Sequence, residues 1–137
     1  MMTEDEILDR LKPLLVEVLG VAVDEIRPES VLVTDLGAES IDLLDLSFRI
    51  EETFNVTIEG NEIEREASKR LPEGAYEKNG RLTEEALAEI RKSLPELDPA
   101  RLVTGLRKMD LPSLLTVQFF VSLIARKLCE KEGAVHA

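Results

Sequence analysis

The chain has no tryptophan, one tyrosine and four phenylalanines in 137 residues. A core this poor in aromatic rings is built from Leu, Ile and Val, an interior that suits flexible hydrocarbon ligands and plain helical bundles alike. There is one cysteine, Cys129, so no intrachain disulfide can form and a reducing compartment fits. Its helical neighbours Ala125 and Leu128 make it read as a half-buried filler. The one histidine, His136, is near the C-terminus and is no plausible partner for Ser40, which removes a hydrolase using that serine. No basic stripe exists, and this excludes a helical nucleic-acid-binding module. No long apolar run exists either. Leu114 to Ala125 is interrupted by Thr116, Gln118 and Ser122 and falls short of the roughly 20 residues that span a bilayer. The segment Met1 to Glu6 is acidic and has no apolar signal core. The expectation is a cytoplasmic protein without membrane insertion.

What the chain does have is acid, and it is unevenly placed. The formal charge is -11. Residues 1–59 hold 15 acidic and 4 basic side chains, residues 60–115 hold 11 and 10, and residues 116–137 hold 2 and 3. The acidity belongs to the N-terminal part. Such a surface repels phosphate backbones and anionic membranes and attracts partners with basic patches. A solvated, solubilising surface has the same composition.

A chain of this length supports one domain with a real core. Thr3, followed three residues on by Glu6, forms a capping box for a first helix. Ile7, Leu11, Leu14, Leu15 and Val18 continue it at helical spacing and Gly20 ends it. Residues 21–39 read as a long loop broken by Pro28 and Gly37, with Val31, Leu32, Val33 and Leu36 dipping into the core. A second helix is expected from Ser40 to Phe54. Ile41, Leu44, Phe48 and Glu51-Glu52 fall around one side of it, and Leu43, Leu46, Ile50 and Phe54 around another. Asn61 can cap a short third helix, Glu62 to Lys69. Leu71 to Gly80 reads as a loop. Thr83 caps a helix from Glu84 to Leu94, with Leu82 and Leu87 as a hydrophobic staple. Asp98-Pro99 opens a short amphipathic stretch through Leu102, Val103 and Leu106. A last helix starts at Pro112 or Thr116 and runs to about Glu130, with Val117, Phe120, Val121, Ile124 and Leu128 inward. No segment reads as a strand.

The run Asp35-Leu36-Gly37-Ala38-Glu39-Ser40-Ile41-Asp42-Leu43-Leu44-Asp45-Leu46 carries the chemistry. A serine at a helix start beside a glycine turn faces unpaired N–H groups and partial positive charge, which favour an attached phosphate. An ordinary helix cap has the same residue type. The whole run, with Glu51-Glu52 and Phe54 downstream and Thr116-Val117-Gln118 at the last helix, closely resembles the phosphopantetheine attachment site of acyl carrier proteins. The resemblance covers Thr3 to about Ile63 and Thr116 to about Leu128. It implies an all-α, acyl-carrier-type four-helix bundle of residues 1–137, with an additional helical insertion at about 70–112 between the third-helix region and the last helix. It further implies a non-catalytic carrier, modified by a phosphopantetheinyl transferase, that holds acyl groups as thioesters on 4'-phosphopantetheine attached to Ser40. The usual Asp-Ser-Leu core reads Glu39-Ser40-Ile41 here. The family's aspartate helps hold the transferase's metal, so the longer Glu39 bears on the rate or choice of transferase.

The same resemblance implies a docking face of Glu39, Ile41, Asp42, Leu44, Asp45, Phe48, Glu51 and Glu52 for acyl-chain enzymes with basic patches. Arg49 interrupts its acidity. It also implies an acyl pocket at Leu11, Leu32, Leu36, Ile50, Ile58, Phe120 and Leu123, to which Leu44 matches as well, with the bulky Phe120 narrowing it. Each of these is equally explained as core. A monomer that binds neither nucleic acid nor metal is expected. Fatty-acid or specialised lipid synthesis, a polyketide or aminoacyl carrier, and an unmodified carrier-like scaffold all remain open.

Overall fold

The structure, a computed structural model, describes residues 2–58, 71–72, 74–93, 97 and 99–136, of which residues 93 and 132–136 are described by their backbone alone. The chain divides into two compact units, residues 1–60 with 115–137, and residues 61–114. It is predominantly helical, as the composition and periodicity lead one to expect.

In the first unit, helix α1 spans Glu4–Leu19. Thr3 Oγ1 accepts from the Glu6 N–H at 3.2 Å and Glu6 Oε1 accepts from the Thr3 N–H at 3.3 Å, so both halves of the capping box are made. Gly20 closes the helix at φ 69° and donates its N–H to the Val16 carbonyl, a conformation that costs glycine nothing. Pro13 lies inside α1 on its exposed side, where the carbonyl left without a donor can meet water. Ile7, Leu11 and Leu15 are fully buried, one stripe facing helices α2 (Ser40–Phe54) and α4 (Val117–His136).

The loop between α1 and α2 is tied down by backbone bonds rather than by regular structure. A short 3-10 turn occupies Val23–Glu25. Val31 bridges Thr116, and Leu32 donates to the Leu115 carbonyl at 3.0 Å. The first N–H groups of α4 would otherwise lack partners. Val117 donates to Ser30, Gln118 to Pro28, and Phe119 to the hydroxyl of Thr116. Ile26, Val31, Leu32 and Leu36 bury their side chains along this loop. At the start of α4, Val117, Phe119, Phe120, Val121, Leu123 and Ile124 are all buried, with the Phe119 and Phe120 rings edge to face at 5.3 Å. Cover then thins: Ala125 to Leu128 are half-buried and Cys129 is exposed. The filler role expected of Cys129 is therefore corrected, because the helix has turned it outward where packing ends.

The second unit holds helix α3, Glu84–Ser93. Thr83 caps it: its hydroxyl accepts from the Ala86 N–H at 3.1 Å and donates to the Ala75 carbonyl. Leu82, Ala86, Leu87, Ile90, Leu97, Leu102 and Leu111 are buried. Two 3-10 stretches follow, Pro99–Arg101 and Lys108–Leu114. Val103, expected in an amphipathic stretch, is exposed.

The expected loop from Leu71 to Gly80 and the expectation of no strand are both corrected here. Strand β1, Glu77–Lys78, pairs antiparallel with β2, Arg81–Leu82, across Asn79-Gly80. Both turn residues have positive φ, 56° and 79°, the signature of a tight two-residue hairpin turn. Residues 106–108 add a third edge, with the Leu82 N–H on the Leu106 carbonyl and the Lys108 N–H on the Gly80 carbonyl. The expected third helix, Glu62 to Lys69, and the positions of Leu94, Pro95 and Asp98 lie outside the described residues.

Candidate functional site

Ser40 stands at the start of α2, and the turn before it is built to hold it there. Asp35 Oδ2 accepts from the Val31 N–H at 2.8 Å, while the Asp35 N–H returns to the Val31 carbonyl. The Ala38 N–H donates to the Leu32 carbonyl at 2.9 Å. Gly37 turns the chain at φ 73°, and Leu36 and Ala38, on either side of it, are buried. Two apolar anchors and one carboxylate thus fix a turn that leaves residues 39–41 outside.

Glu39 is the residue before the helix, and Ser40 is the first residue inside it. Asp42 Oδ2 accepts from the Glu39 N–H at 3.0 Å. Ser40 is exposed, and its hydroxyl makes no hydrogen bond to any described residue. The ordinary-cap role weighed for this serine is therefore taken by its neighbours. What remains is a free hydroxyl at a helix N-terminus, where the first N–H groups point outward and the helix dipole favours an anion.

From Ser40 an exposed strip runs along α2. Ile41, Leu44 and Phe48 are 70%, 50% and 55% exposed, values unusual for apolar side chains in one row. Asp45 and Glu52 flank them, both exposed. The opposite side, Leu46, Ser47, Ile50 and Phe54, is buried, and the Ser47 hydroxyl is satisfied by the Leu43 carbonyl at 3.0 Å. The acids differ in their duties. Arg49 donates to Asp45 at 3.3 Å and to Glu17 at 2.6 Å. Glu51 Oε1 accepts from the Ile58 N–H at 2.9 Å and ties down the chain after the helix. Glu52 has no such bond among the described residues.

Of the expected pocket residues, Leu11, Leu32, Leu36, Ile50, Ile58, Phe120 and Leu123 are all buried within this unit, whereas Leu44 is on the surface strip. The turn-holding work of Asp35 and the ion pair of Glu17 had not been foreseen. Asp35 followed by a glycine turn carries the signal for the first. Nothing local signals the second, since Glu17 and Arg49 sit on different helices. Among the described residues no three His, Cys, Asp or Glu side chains are placed to hold a metal, and no helix is long and apolar enough to cross a membrane.

Residues 9–68 match the family profile described as a phosphopantetheine attachment site. An acyl carrier protein of Petrotoga mobilis (strain DSM 10674 / SJ95) is 39% identical over 64 residues, which are 47% of this chain and 75% of the relative. One from Chlorobium phaeovibrioides (strain DSM 265 / 1930) is 41% identical over 64 residues, 47% of this chain and 82% of the relative. The chain belongs to the acyl carrier protein family. The prosthetic group of that family is 4'-phosphopantetheine, covalently attached. The turn and the start of α2 fit it: they offer an exposed hydroxyl without a partner among the described residues, on a helix end whose dipole favours the phosphate. In both relatives the similarity covers less than half of this carrier, and the family match ends at residue 68, before the hairpin and α3.

Proposed function

We propose that Ser40 carries the 4'-phosphopantetheine arm and that the chain shuttles acyl intermediates as thioesters for fatty-acid or specialised lipid biosynthesis, in the cytoplasm. The observation that carries this is the exposed Ser40 hydroxyl, unengaged by any described residue, at the first position of α2. The arm supplies a terminal thiol on which acyl groups are held. The chain's own part is to present the serine, to offer outward N–H groups to the phosphodiester, and to keep bases away from it. No side chain near Ser40 need act as a base, because a phosphopantetheinyl transferase with coenzyme A performs the attachment.

The face of Glu39, Ile41, Asp42, Leu44, Asp45, Phe48, Glu51 and Glu52 docks on basic patches of the transferase and of acyl-handling enzymes. Exposed ion pairs contribute only about 0–1 kcal/mol each, so the acids orient while the bare row Ile41, Leu44 and Phe48 holds. Leu11, Leu32, Leu36, Ile50, Ile58, Phe120 and Leu123 line the space that opens for an acyl chain. The inserted segment, about residues 70–112, belongs to the same carrier and serves recognition by a dedicated enzyme. Incubation with coenzyme A and a broad-specificity transferase tests the reading. One arm is expected on the wild type and none on Ser40→Ala. No uptake with several transferases would instead mark an unmodified scaffold.

A further inference from the structure

The hairpin in the second unit places three cations side by side. Lys78 pairs with Arg81 across β1 and β2, and Arg81 pairs with Arg107 across the third edge. Directly paired residues point to the same face of a sheet, with Cβ atoms about 4.5–5.5 Å apart, and like charges so placed repel. All three are exposed, while Leu82 on the other face is buried. Relief within the chain is partial. Asp110 accepts from the Arg107 N–H, Nε and Nη2 at 3.0–3.2 Å. Arg81 donates to the uncharged Gly105 carbonyl at 2.7 Å. Asp110 also faces Arg81, whose charge helps to hold its carboxyl down, and Lys78 makes no ion pair among the described residues. In the same unit, and close in sequence to Arg107, the apolar Met109 and Val103 are 72% and 53% exposed.

A cationic row with exposed apolar neighbours is the complement of an acidic row with exposed apolar neighbours. Such a surface is present on the same chain: Ile41, Leu44 and Phe48 on α2, flanked by Asp45 and Glu52. We infer that the Lys78–Arg81–Arg107 face docks on the α2 face of a second copy of this chain. Anionic membrane is the weaker match, because a net charge of -11 repels it. The same net charge opposes self-association at low salt, but a Debye length of about 8 Å near physiological ionic strength confines that repulsion to close range and leaves the local pairing. The contact joins two different patches, so it closes into a ring or continues as a chain. It is a weak, reversible contact that competes with enzymes for α2, and the monomer expected from sequence is its dilute state. The inference rests on the exposure of α2 and not on the modification of Ser40.

Sedimentation velocity of the unmodified full chain at physiological salt is the test, run over about a hundredfold range of concentration that reaches the millimolar regime of weak contacts. The sedimentation coefficient is expected to rise with concentration. Lys78→Glu with Arg81→Glu should weaken the association about tenfold or more, as should Asp45→Arg with Glu52→Arg, since each turns attraction into like-charge contact. An equimolar mixture of the two double variants should restore it, which simple loss of folding cannot do. A wild type that stays monomeric throughout overturns the inference. So do variants that associate as the wild type does, or co-sedimentation with anionic vesicles that depends on Lys78 and Arg81 in a chain that remains monomeric. A chain that self-associates and takes up no arm refutes the carrier reading alone. One that takes up the arm and stays monomeric refutes this inference alone.

Discussion

The two units are held together by different means. In the first, two long helices with complete end signals surround a loop whose backbone is bonded to the start of α4, and Ser40 sits where that scaffold leaves a helix end bare. In the second, one ten-residue helix is supported by a two-residue hairpin, short 3-10 turns and side-chain bonds. Its charge is nearly balanced where the first is strongly acidic. The family match, residues 9–68, lies mostly in the first unit, and the described residues of the second unit lie beyond it. Ser40 rests on long capped helices, whereas the described second unit rests largely on turns and short elements.

The largest effect that would sharpen this contrast is in the cores. Ile50→Ala in α2 and Leu87→Ala in α3 each remove a fully buried aliphatic chain, and each should cost about 2–5 kcal/mol. Amide exchange should speed in the unit that carries the change. A loss of protection spread equally over both units by either variant would break the distinction.

Next come the charges on the two surfaces. Glu52→Lys alters an exposed acid of α2 that makes no hydrogen bond of its own among the described residues, whereas Glu85→Lys alters an exposed acid of α3. At a value of about 0–1 kcal/mol per exposed pair, Glu52→Lys should weaken transferase binding by up to about fivefold, and Glu85→Lys should leave it unchanged. Titration calorimetry at two salt concentrations checks this. Equal binding by both variants and the wild type would remove α2 as the docking face.

Smaller still is the hairpin turn. Gly80→Ala places a side chain at φ 79° and should cost about 1 kcal/mol, read as a lower midpoint in urea. The smallest effect is a pH response. The hydrogen bond from Arg107 holds the Asp110 carboxyl below its ordinary value. A depressed carboxylate contributes stability above its unfolded pKa, and that contribution is lost as pH falls through the folded one. Melting curves of the wild type and Asp110→Asn should therefore differ near neutrality and converge in strong acid. A difference that persists at low pH would contradict the assignment.

Legibility followed the same divide. Thr3 with Glu6, Gly20, and Ser40 to Phe54 were all readable, because caps and a 3.6-residue apolar period are local signals. The exposed row on α2 was readable too, since Ile41, Leu44 and Phe48 are more apolar surface than one helix can bury. The hairpin was not, although Asn79-Gly80 is a strong turn signal: strands of two residues are too short to alternate, and the third edge comes from residues far along the chain. The burial of both Phe119 and Phe120, and the outward turn of Cys129, depend on where packing begins and ends along α4, which periodicity does not encode. At the site itself, the motif pointed to Ser40 but not to the reason its hydroxyl is free.

The central claim is that Ser40 carries the arm, and fragmentation mass spectrometry of the protein after reaction with coenzyme A and a transferase tests it most directly. The account predicts a single phosphopantetheine on the fragment containing Ser40, with Ser30 and Ser47, whose hydroxyls are bonded within the fold, unmodified. An arm found on any other residue, or retained by Ser40→Ala, would contradict it.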